Sequence, residues 1–275
     1  TIVTHNGEFH ADDIFSVAVL SLVLATPISI VRTRDEEIIK NADYVVDVGG
    51  IHDEKINRFD HHQEGGAGRR DDGIPYASFG LVWKKFGESL CGTKQIADIL
   101  ERKLVAPIDC LDNGVSLYEG VFFGIVPYQI ESYFYSFRPT WRETDADMDA
   151  IFLKVLEIAK NILMREIEKA KAREEAVEFV EKAYALAPDK RLIILEDEYP
   201  WRDVLDKYKE VLFVVQPIKK ENHWRLYTVR AEQNNFKNRK DLPLAWAGKR
   251  DQALAEATGV KDAIFCHNKR FLAVA

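Results

Sequence analysis

Histidines and acidic residues gather at four places in the first half of the chain, in the stretches "THNGEFHADD", "VVDVGG", "FDHH" and "PIDCLDNG". Short apolar runs that predict buried β-strands alternate with them. Because the carboxyl ends of parallel strands form one ligand-binding edge of a sheet, residues far apart in sequence can meet there. The candidate ligands are His5, His10, Asp12, Asp13, Asp47, Asp60, His61, His62, Asp109 and Asp112.

Several imidazoles with three or more carboxylates and no thiolate form a ligand set for hard divalent ions. We expect Mn²⁺, with Mg²⁺, Fe²⁺ and Zn²⁺ as alternatives. The set is large enough for two ions that share a bridging carboxylate. Such a pair clamps the attacking and leaving oxygens of a phosphoryl displacement. The residues therefore predict phosphoester hydrolysis with two divalent ions as cofactors.

Each candidate also has a plainer interpretation when it is considered alone. Asp12 and Asp13 are typical acids of a helix N-terminus, and Asp47 before "VGG" is typical of a turn cap. His5 could be a hydrogen-bonded histidine at the end of a strand. His61 and His62 could be a solvated or hydrogen-bonded pair. Four of the seven histidines nevertheless lie in two of these clusters. Their conjunction favours one shared site.

The elements that must position these residues alternate between strands and helices. Strands are predicted at 1–5, 28–33 and 43–50, and helices at 12–25, 76–90 and roughly 93–108. The continuous apolar strands are typical of a parallel sheet covered on both faces. The first half is therefore expected to form an α/β, doubly wound, mostly parallel domain. The turn signal "DNG" favours Asp112 over Asp109 as the later ligand.

The expected domains are 1–144, a metal-binding domain; 145–187, a long helical connector; and 188–275, a smaller α+β domain. The connector keeps a helical apolar spacing and contains neither proline nor glycine, which predicts one long helix or two with a slight break. Its charged stretch "REIEKAKAREEAVE" favours a solvated face over a nucleic-acid contact.

Composition places the chain among ordinary globular proteins, with 275 residues, 47% hydrophobic and 30% charged. The net charge of −7 argues against a broad basic surface for nucleic acid, so any phosphate chemistry must rely on local positive charge. The three cysteines are far apart and form no C-x-x-C pair, which favours a reducing, cytoplasmic location. No apolar run reaches the length of a membrane span.

Candidate substrate-binding residues lie outside the four clusters. Arg69 and Arg70 in "EGGAGRRDDGIP" are expected to be solvated, with a lid that closes over phosphate as the alternative. In the C-terminal domain Arg239 could pair with phosphate and Trp246 could stack on a base. A surface ion pair for Arg239, core packing for Trp246 and a structural role for His267 are the competing interpretations.

The chain resembles the DHH phosphoesterase superfamily in Asp60-His61-His62, in His5 with His10-x-Asp12, and in the strand-end Asp47. The stretches "HNGEFHADD", "VVDVGG", "RFDHHQ", "DNGVS", "FKNRKDLPLAWAG" and "AIFCHNKRF" more narrowly resemble the Myg1-like exonucleases. The resemblance runs over nearly the whole chain. One departure is that an imidazole, His10, stands one position later than the carboxylate that the superfamily usually has.

The resemblance implies a DHH-type domain and a role for each residue. His5, His10 and Asp47 would hold one ion; Asp12, Asp47, His61 and a later aspartate, Asp109 or Asp112, would hold the other. His62 would meet substrate phosphate or orient the leaving oxygen, and Asp60 would fix a histidine, so these two are the candidate catalytic residues. Arg239 and His267 are the candidate substrate-binding residues.

The leading hypothesis is a metal-dependent 3′-to-5′ exonuclease that acts on RNA or short oligonucleotides, in which the polymer substrate rests on the resemblance. The alternatives are a hydrolase of a small phosphorylated metabolite, such as a nucleotide bisphosphate or pyrophosphate, and a non-catalytic, metal-stabilised interaction protein. We also expect a homo-oligomer and no membrane partner.

Overall fold

The computed structural model describes residues 1–24, 27–117, 127–232 and 237–275. They form two compact units, Thr1–Ala170 and Lys171–Ala275, and the boundary falls within a long helix. Each unit contains a mixed β-sheet together with helices, which confirms the predicted α/β class. No described helix combines the length and the apolar composition that a bilayer crossing requires.

The first unit is built on a five-stranded sheet with the order β2-β1-β3-β5-β4. Its strands are β1 (Ile2–Thr4), β2 (Ile30–Arg32), β3 (Tyr44–Val46), β4 (His52–Asp53) and β5 (Arg58–Phe59). The pairs β2-β1, β1-β3 and β3-β5 are parallel, whereas β4 pairs with β5 in the antiparallel sense. The parallel core strands β1, β3 and β5 therefore end side by side at one edge.

Helices cover this sheet. The first-unit helices are α1 (Ala11–Leu24), α2 (Glu36–Asn41), α3 (Ser78–Cys91), α4 (Lys94–Leu100), α5 (Ala106–Asp112) and α6 (Ile130–Tyr135). Because α1 is apolar on nearly every side, all of its residues from Ala11 to Leu20 are buried. It packs against α3, where the rings of Phe15 and Phe79 stack with centroids 5.2 Å apart. This packing fixes the start of α1 beside the sheet edge.

The helix predicted over roughly 93–108 extends further, to Asp112. A π-helical turn at Glu101–Val105 joins α4 to α5, and Pro107 lies in the first turn of α5. Proline lacks the N–H that an uninterrupted α-helix uses and crowds the preceding turn, so the wider turn allows the chain to continue. Asp109 consequently lies inside a helix, not in the turn that follows it.

Helix α7 (Met148–Leu186) has 39 residues and contributes to both units. In the first unit it buries one stripe of residues at spacings of three and four, as an amphipathic helix requires. The stripe consists of Phe152, Val155, Leu156, Ala159, Leu163, Ile167 and Ala170. In the second unit its Val180 belongs to another cluster.

The second unit has a five-stranded sheet with the order β6-β7-β8-β10-β9. Its strands are β6 (Leu192–Ile194), β7 (Phe213–Ile218), β8 (His223–Thr228), β9 (Phe265–Cys266) and β10 (Leu272–Val274). The pair β6-β7 is parallel and the other pairs are antiparallel. The helices are α8 (Arg202–Leu205) and α9 (Asp251–Thr258), with a 3₁₀ turn at Leu244–Trp246.

Among the described strands and α-helices of the first unit, three are not predicted from the sequence pattern: β4, β5 and α6. The two strands have two residues each, and α6 has six. A hydrophobic period cannot be recognised over so short a segment. These elements exist because the neighbouring parts of the chain hold them in place.

Candidate metal centre

Three parallel strands deliver candidate ligands to the same edge of the first sheet. His5 follows β1, Asp47 follows β3 and Asp60 follows β5. Because β3 lies between β1 and β5, Asp47 is central. The sheet topology thus brings together residues that are up to 55 positions apart in sequence, counted from His5 to Asp60.

Among the described residues three groups of side chains have one ligand atom each within 4.8 Å of the others. The groups are His5 with His10 and Asp47; Asp47 with His61 and His62; and Asp12 with His61 and Asp112. Asp47 and His61 each belong to two groups, so the three form one continuous cluster. Seven of the proposed site residues are therefore neighbours.

The first group is fixed by buried contacts around His5. Its Nε2 lies 3.3 Å from Asp47 Oδ2 and 3.4 Å from Asp13 Oδ2. The backbone N–H of His10 donates to Asp13 Oδ1 at 2.7 Å, which holds the loop before α1. Asp47 has a left-handed backbone with φ of 55°, an uncommon conformation for a residue other than glycine. A strained backbone at a residue that belongs to two potential metal groups is consistent with a functional position.

The second half of the cluster centres on His61. Its Nε2 lies 3.0 Å from Asp112 Oδ2, 3.4 Å from Asp47 Oδ1 and 3.9 Å from Asp12 Oδ2. Asp112 reaches this position from the last residue of α5. One imidazole nitrogen therefore faces three carboxylates that come from three different elements.

Asp12 is oriented by the N-terminus of α3. The backbone N–H groups of Ser78 and Phe79 donate to its two carboxylate oxygens at 3.0 and 2.6 Å. Helix α3 has no side-chain cap of its own, because Ala77 occupies the cap position. Asp12 thus satisfies two otherwise unpaired helix amides, and Ser78 Oγ donates to Asp47 Oδ1 at 3.3 Å.

Asp60 positions the two histidines that follow it. Its Oδ1 accepts from the backbone N–H of His61 at 2.7 Å and of His62 at 3.1 Å, and it lies 2.8 Å from His62 Nδ1. Its Oδ2 accepts from Gly50 N–H at 2.6 Å. His62 lies at the surface, with a side chain that is 62% exposed. Because Asp60 holds Nδ1, the Nε2 of His62 is the nitrogen available to a ligand.

Asp109 lies outside the three groups and has another partner. Its Oδ2 accepts from Arg70 Nη2 at 2.7 Å, and its Oδ1 accepts from Gly80 N–H at 3.0 Å. Arg70 also pairs with Glu101. The expectation that Arg70 is solvated is therefore wrong, because two carboxylates compensate its charge in a largely buried position. Arg69 is exposed, as expected.

The electrostatics of the cluster reflect crowded carboxylates. Burial and the charges of Asp112 and Asp47 raise the pKa of Asp12 well above its usual range. Burial also raises the pKa of Asp13 to about 7, against the opposing effect of His5. Burial disfavours the charged form of His61, but Asp112 and Asp47 outweigh it and raise the pKa of His61 to about 11. Positive charge at this place relieves carboxylate repulsion.

The residues present fit divalent metal ions. Among the described residues the buried atoms His5 Nε2, His61 Nε2 and Asp13 Oδ2 lie close to oppositely charged groups but form no hydrogen bond of regular geometry. Buried polar atoms almost always form such bonds, so imidazole nitrogens held among carboxylates without one indicate a ligand. The oxygen and imidazole donors are those that Mn²⁺, Mg²⁺, Fe²⁺ and Zn²⁺ accept. Cys91, Cys110 and Cys266 are buried, form no disulfide and belong to none of the three groups.

The two proposed substrate residues lie in the second unit. The Arg239 guanidinium donates to the backbone oxygens of Asp206, Tyr208 and Val211. It therefore ties down the segment after α8, and neither phosphate pairing nor a surface ion pair describes these contacts. His267 Nδ1 accepts from Lys269 N–H at 3.1 Å, and its ring packs on Phe271 with centroids 4.3 Å apart.

Trp246 packs against a small hydrophobic cluster and donates from Nε1 to Ala257 O at 3.2 Å. This is the core packing that the sequence offered as the alternative to base stacking.

Sequence reasoning listed Asp13 as a candidate ligand and as a helix N-terminal acid, and the structure shows it in the second role, because it accepts the backbone N–H of His10 three residues earlier. Sequence reasoning missed another contributor to the centre. The amides of Ser78 and Phe79 left no signal, because any residue can supply a backbone N–H.

Comparison with known proteins gives one consistent result. The MYG1_exonuc family model, described as an uncharacterised protein family (UPF0160), matches residues 1–275. MYG1 exonuclease of Homo sapiens is 28% identical over 303 residues, covering 98% of this chain and 81% of the human protein. MYG1 exonuclease of Rattus norvegicus is 30% identical over 309 residues, covering 98% and 80%. The MYG1 protein of Schizosaccharomyces pombe is 29% identical over 304 residues, covering 98% and 91%. No solved structure matches significantly.

Proposed function

Because this chain belongs to the MYG1_exonuc family, we propose that it is a metal-dependent phosphodiesterase, a 3′-to-5′ exonuclease that acts on RNA or short oligonucleotides. The observation that carries the proposal is the continuous cluster in which Asp47 and His61 each belong to two potential metal groups. The relatives named MYG1 exonuclease support the nuclease part.

In this proposal His5, His10 and Asp47 would hold one divalent ion. Asp12, Asp47, His61 and Asp112 would hold the second, whereas Asp109 is bound to Arg70 and to the Gly80 amide of α3. Such ions supply charge stabilisation to a phosphoryl group and lower the pKa of water. The donors favour Mn²⁺, although Mg²⁺, Fe²⁺ and Zn²⁺ accept the same atoms.

His62 is the proposed proton donor. Asp60 raises the pKa of His62 by hydrogen bonding, which outweighs the effect of burial and favours the imidazolium. Because Nδ1 faces Asp60, the proton on Nε2 is directed to a phosphate oxygen or to the leaving oxygen. Asp60 is therefore a positioning residue, and His62 is the residue that contacts the substrate.

The decisive experiment compares two substrates with each added metal. Protein loaded with Mn²⁺ should shorten single-stranded RNA that carries a 5′ label, release nucleoside 5′-monophosphates, and fail on RNA with a blocked 3′ end. It should also cleave bis(4-nitrophenyl) phosphate. Cleavage of this generic diester without any shortening of RNA would contradict the nuclease assignment and retain the phosphodiesterase.

A second function, hydrolysis of a small phosphorylated metabolite, is favoured by the net charge of −7. Polymer binding releases counterions, so RNA affinity should fall steeply with added salt. A nucleotide bisphosphate should show a shallow dependence. The two functions are separated by measuring KM for RNA and for the bisphosphate between 50 and 200 mM salt. Over this range a protein with several phosphate contacts loses about 10³-fold in affinity for a nucleic acid.

The finer structural expectations extend the proposal. Parallel β1, β3 and β5 with candidate ligands at their carboxyl ends support a DHH-type doubly wound domain over 1–144, followed by the connector 145–187 and a substrate domain over 188–275.

We also propose a homo-oligomer, for which light scattering should give a multiple of 31.5 kDa. The widely spaced cysteines, which form no disulfide, support a cytoplasmic location, which fractionation of tagged cells would test.

A further inference from the structure

A cavity of about 890 Å³ adjoins the metal centre in the first unit. Its wall includes His5, His10, Asp47, Asp60 and His62, so it opens directly on the proposed reacting position. Other lining residues come from α2 and from the segment between β3 and β5. The volume lies within the usual range for small-molecule sites, about 300–1,000 Å³.

Aliphatic side chains form one part of the wall. Ile51 and Ile56 line the cavity and are 53% and 54% exposed. Neither packs into a hydrophobic cluster of the described residues, in contrast to Ile39 and Val48, which pack against a small cluster on β1 and β3. These two large apolar side chains line a polar cavity and do not contribute to the core. They offer a surface on which the flat face of a ring can pack.

Positive charge forms another part of the wall. Arg34 and Lys40 are exposed cavity residues, and Arg34 Nη1 donates to Asn6 Oδ1 at 2.8 Å, directly beside His5 in the chain. Of the lining acids, Glu8 is paired with Arg138 at 3.0 Å. Glu36 also lines the cavity, so Arg34 and Lys40 act together with the proposed metal ions to supply the local potential that a phosphate requires.

Arg58 also lines the cavity but has a structural role. Its guanidinium donates to Lys40 O at 3.1 Å and to Ala42 O at 2.9 Å. It therefore fixes the end of α2, and with it the position of Lys40.

We propose that this cavity holds the terminal nucleoside 5′-monophosphate of the substrate, with its base against Ile51 and Ile56 and its phosphate at the metal centre. The inference rests on the proposed function and adds which part of the substrate is bound. Aliphatic side chains have no hydrogen-bonding groups and cannot distinguish base edges. All four bases are therefore accepted with similar affinity, and the chain removes nucleotides irrespective of sequence.

Binding of products by calorimetry tests the site without relying on turnover. The probes are AMP, CMP, GMP and UMP, with ribose 5-phosphate as the ligand that lacks a base, each added to Mn²⁺-loaded protein. The four nucleotides should bind within a few-fold of one another and roughly 10-fold more tightly than ribose 5-phosphate, because only they bury a base. Equal affinity for nucleotides and ribose 5-phosphate would overturn the proposal.

The apolar wall is tested by the double substitution Ile51→Ala with Ile56→Ala. Both positions are exposed, so the fold should tolerate the change. The variant should lose the roughly 10-fold advantage of nucleotides and keep the affinity for ribose 5-phosphate. Ile38→Ala is the matched control, because Ile38 is also exposed, at 43%, lies on α2 and does not line the cavity. An unchanged nucleotide affinity in the double variant would refute the proposal.

The cation is tested in the same way by Lys40→Ala, with Lys55→Ala as a control that is exposed and outside the cavity lining. Lys40→Ala should weaken the binding of AMP and of ribose 5-phosphate by the same factor, because the Lys40 side chain interacts with the phosphate that both ligands carry. Equal behaviour of the two lysine variants would contradict this assignment.

The outcomes separate this inference from the proposed function. If RNA is shortened but the isoleucine variant and its control bind and cleave alike, the cavity assignment fails and the exonuclease remains. If no diester is cleaved with any metal but the nucleotide advantage depends on Ile51 and Ile56, the nucleotide site remains and the exonuclease fails. If the isoleucine variant changes only the oligomeric state in light scattering, the wall is a contact between copies and the inference is overturned.

Discussion

The two units bury very different polar groups. Among the buried side chains of the first unit are His5, Asp12, Asp13, Asp47, Asp60 and Asp109. In the described part of the second unit the buried polar side chains are Gln216 and Thr228, which are uncharged. Burial of an unpaired charge is costly, so a sequence that needs only a stable core avoids it. The first unit therefore buries the charges that the candidate site needs, whereas the described core of the second unit buries uncharged side chains.

The first unit compensates its buried charges in two ways. Asp12 accepts from the amides of α3, and Asp109 pairs with Arg70. Asp47, by contrast, faces the imidazoles of His5 and His61, which leave nitrogen atoms without hydrogen bonds. The contacts of Asp109 build structure, those of Asp47 are available to ligands, and Asp12 takes part in both kinds. Substitutions in the two kinds of contact should therefore have different consequences.

The largest expected effect is on the structural contacts. A Cβ atom at Gly80 would lie 1.9 Å from Asp109 Oδ2 and 2.6 Å from Arg70 Nη2. Alanine normally favours a helix by about 1 kcal/mol over glycine, but Gly80→Ala should lower the free energy of unfolding by about 3 kcal/mol because it displaces a buried ion pair. Hydrogen exchange of peptides from 1–170 measures the loss, and peptides from 171–275 should be unaffected.

Ser89→Ala, at an exposed position of the same helix, is the control for Gly80→Ala and should change exchange little. A stabilised Gly80→Ala variant would show that the ion pair is not a rigid part of the unit.

The second effect is on the ligand contacts. Asp47→Ala removes the carboxylate shared by two groups, so bound Mn²⁺ and kcat/KM should both fall by at least about 100-fold while exchange protection is retained. Elemental analysis and a diester assay provide the measurements. Asp43→Ala, an exposed aspartate four residues earlier, is the matched control and should retain both. Full metal occupancy in Asp47→Ala would remove Asp47 from the centre.

The third effect is a dependence on pH. Metal ligation requires an imidazole nitrogen that carries no proton. Burial lowers the pKa of His61, but Asp112 and Asp47 outweigh burial and raise this pKa to about 11. The metal must displace this proton, so affinity should rise about 10-fold per pH unit from pH 6 to 8 for each proton released. Calorimetry in buffers of different ionisation enthalpy counts the protons.

His61→Gln should release at least one proton fewer than the unaltered chain. The same proton count in both proteins would place the competing proton on another residue.

The smallest effect is expected in the second unit. Among the described residues Gln216 Oε1 is buried without a hydrogen-bond partner. Gln216→Leu should therefore change the free energy of unfolding by less than about 1 kcal/mol, in the stabilising direction, because leucine leaves no polar atom unpaired. Exchange of peptides from 171–275 reports the change, with exposed Gln252→Leu as a control. A clear loss of protection would show that the second unit also depends on a buried polar contact.

Much of the first sheet could be predicted from the sequence. The strands around Ile2, Ile30 and Tyr44 follow from continuous apolar runs, and α1 follows from a long apolar segment with acids in its first turn. The short β4 and β5 could not be predicted, since they exist only as partners of their neighbours. Nor could the continuation of α5 beyond Pro107, because it depends on a π-helical turn that local preference does not reveal.

The sequence by itself determined the types of residue, their order and the apolar runs that precede them, because burial and strand formation depend on local periodicity. It therefore indicated hard-metal chemistry at the ends of strands. Only the tertiary structure decided that Asp112 joins His61 while Asp109 joins Arg70, and that Asp12 meets the amides of α3. These choices depend on distances between elements that are far apart in the chain, and such distances are fixed by packing.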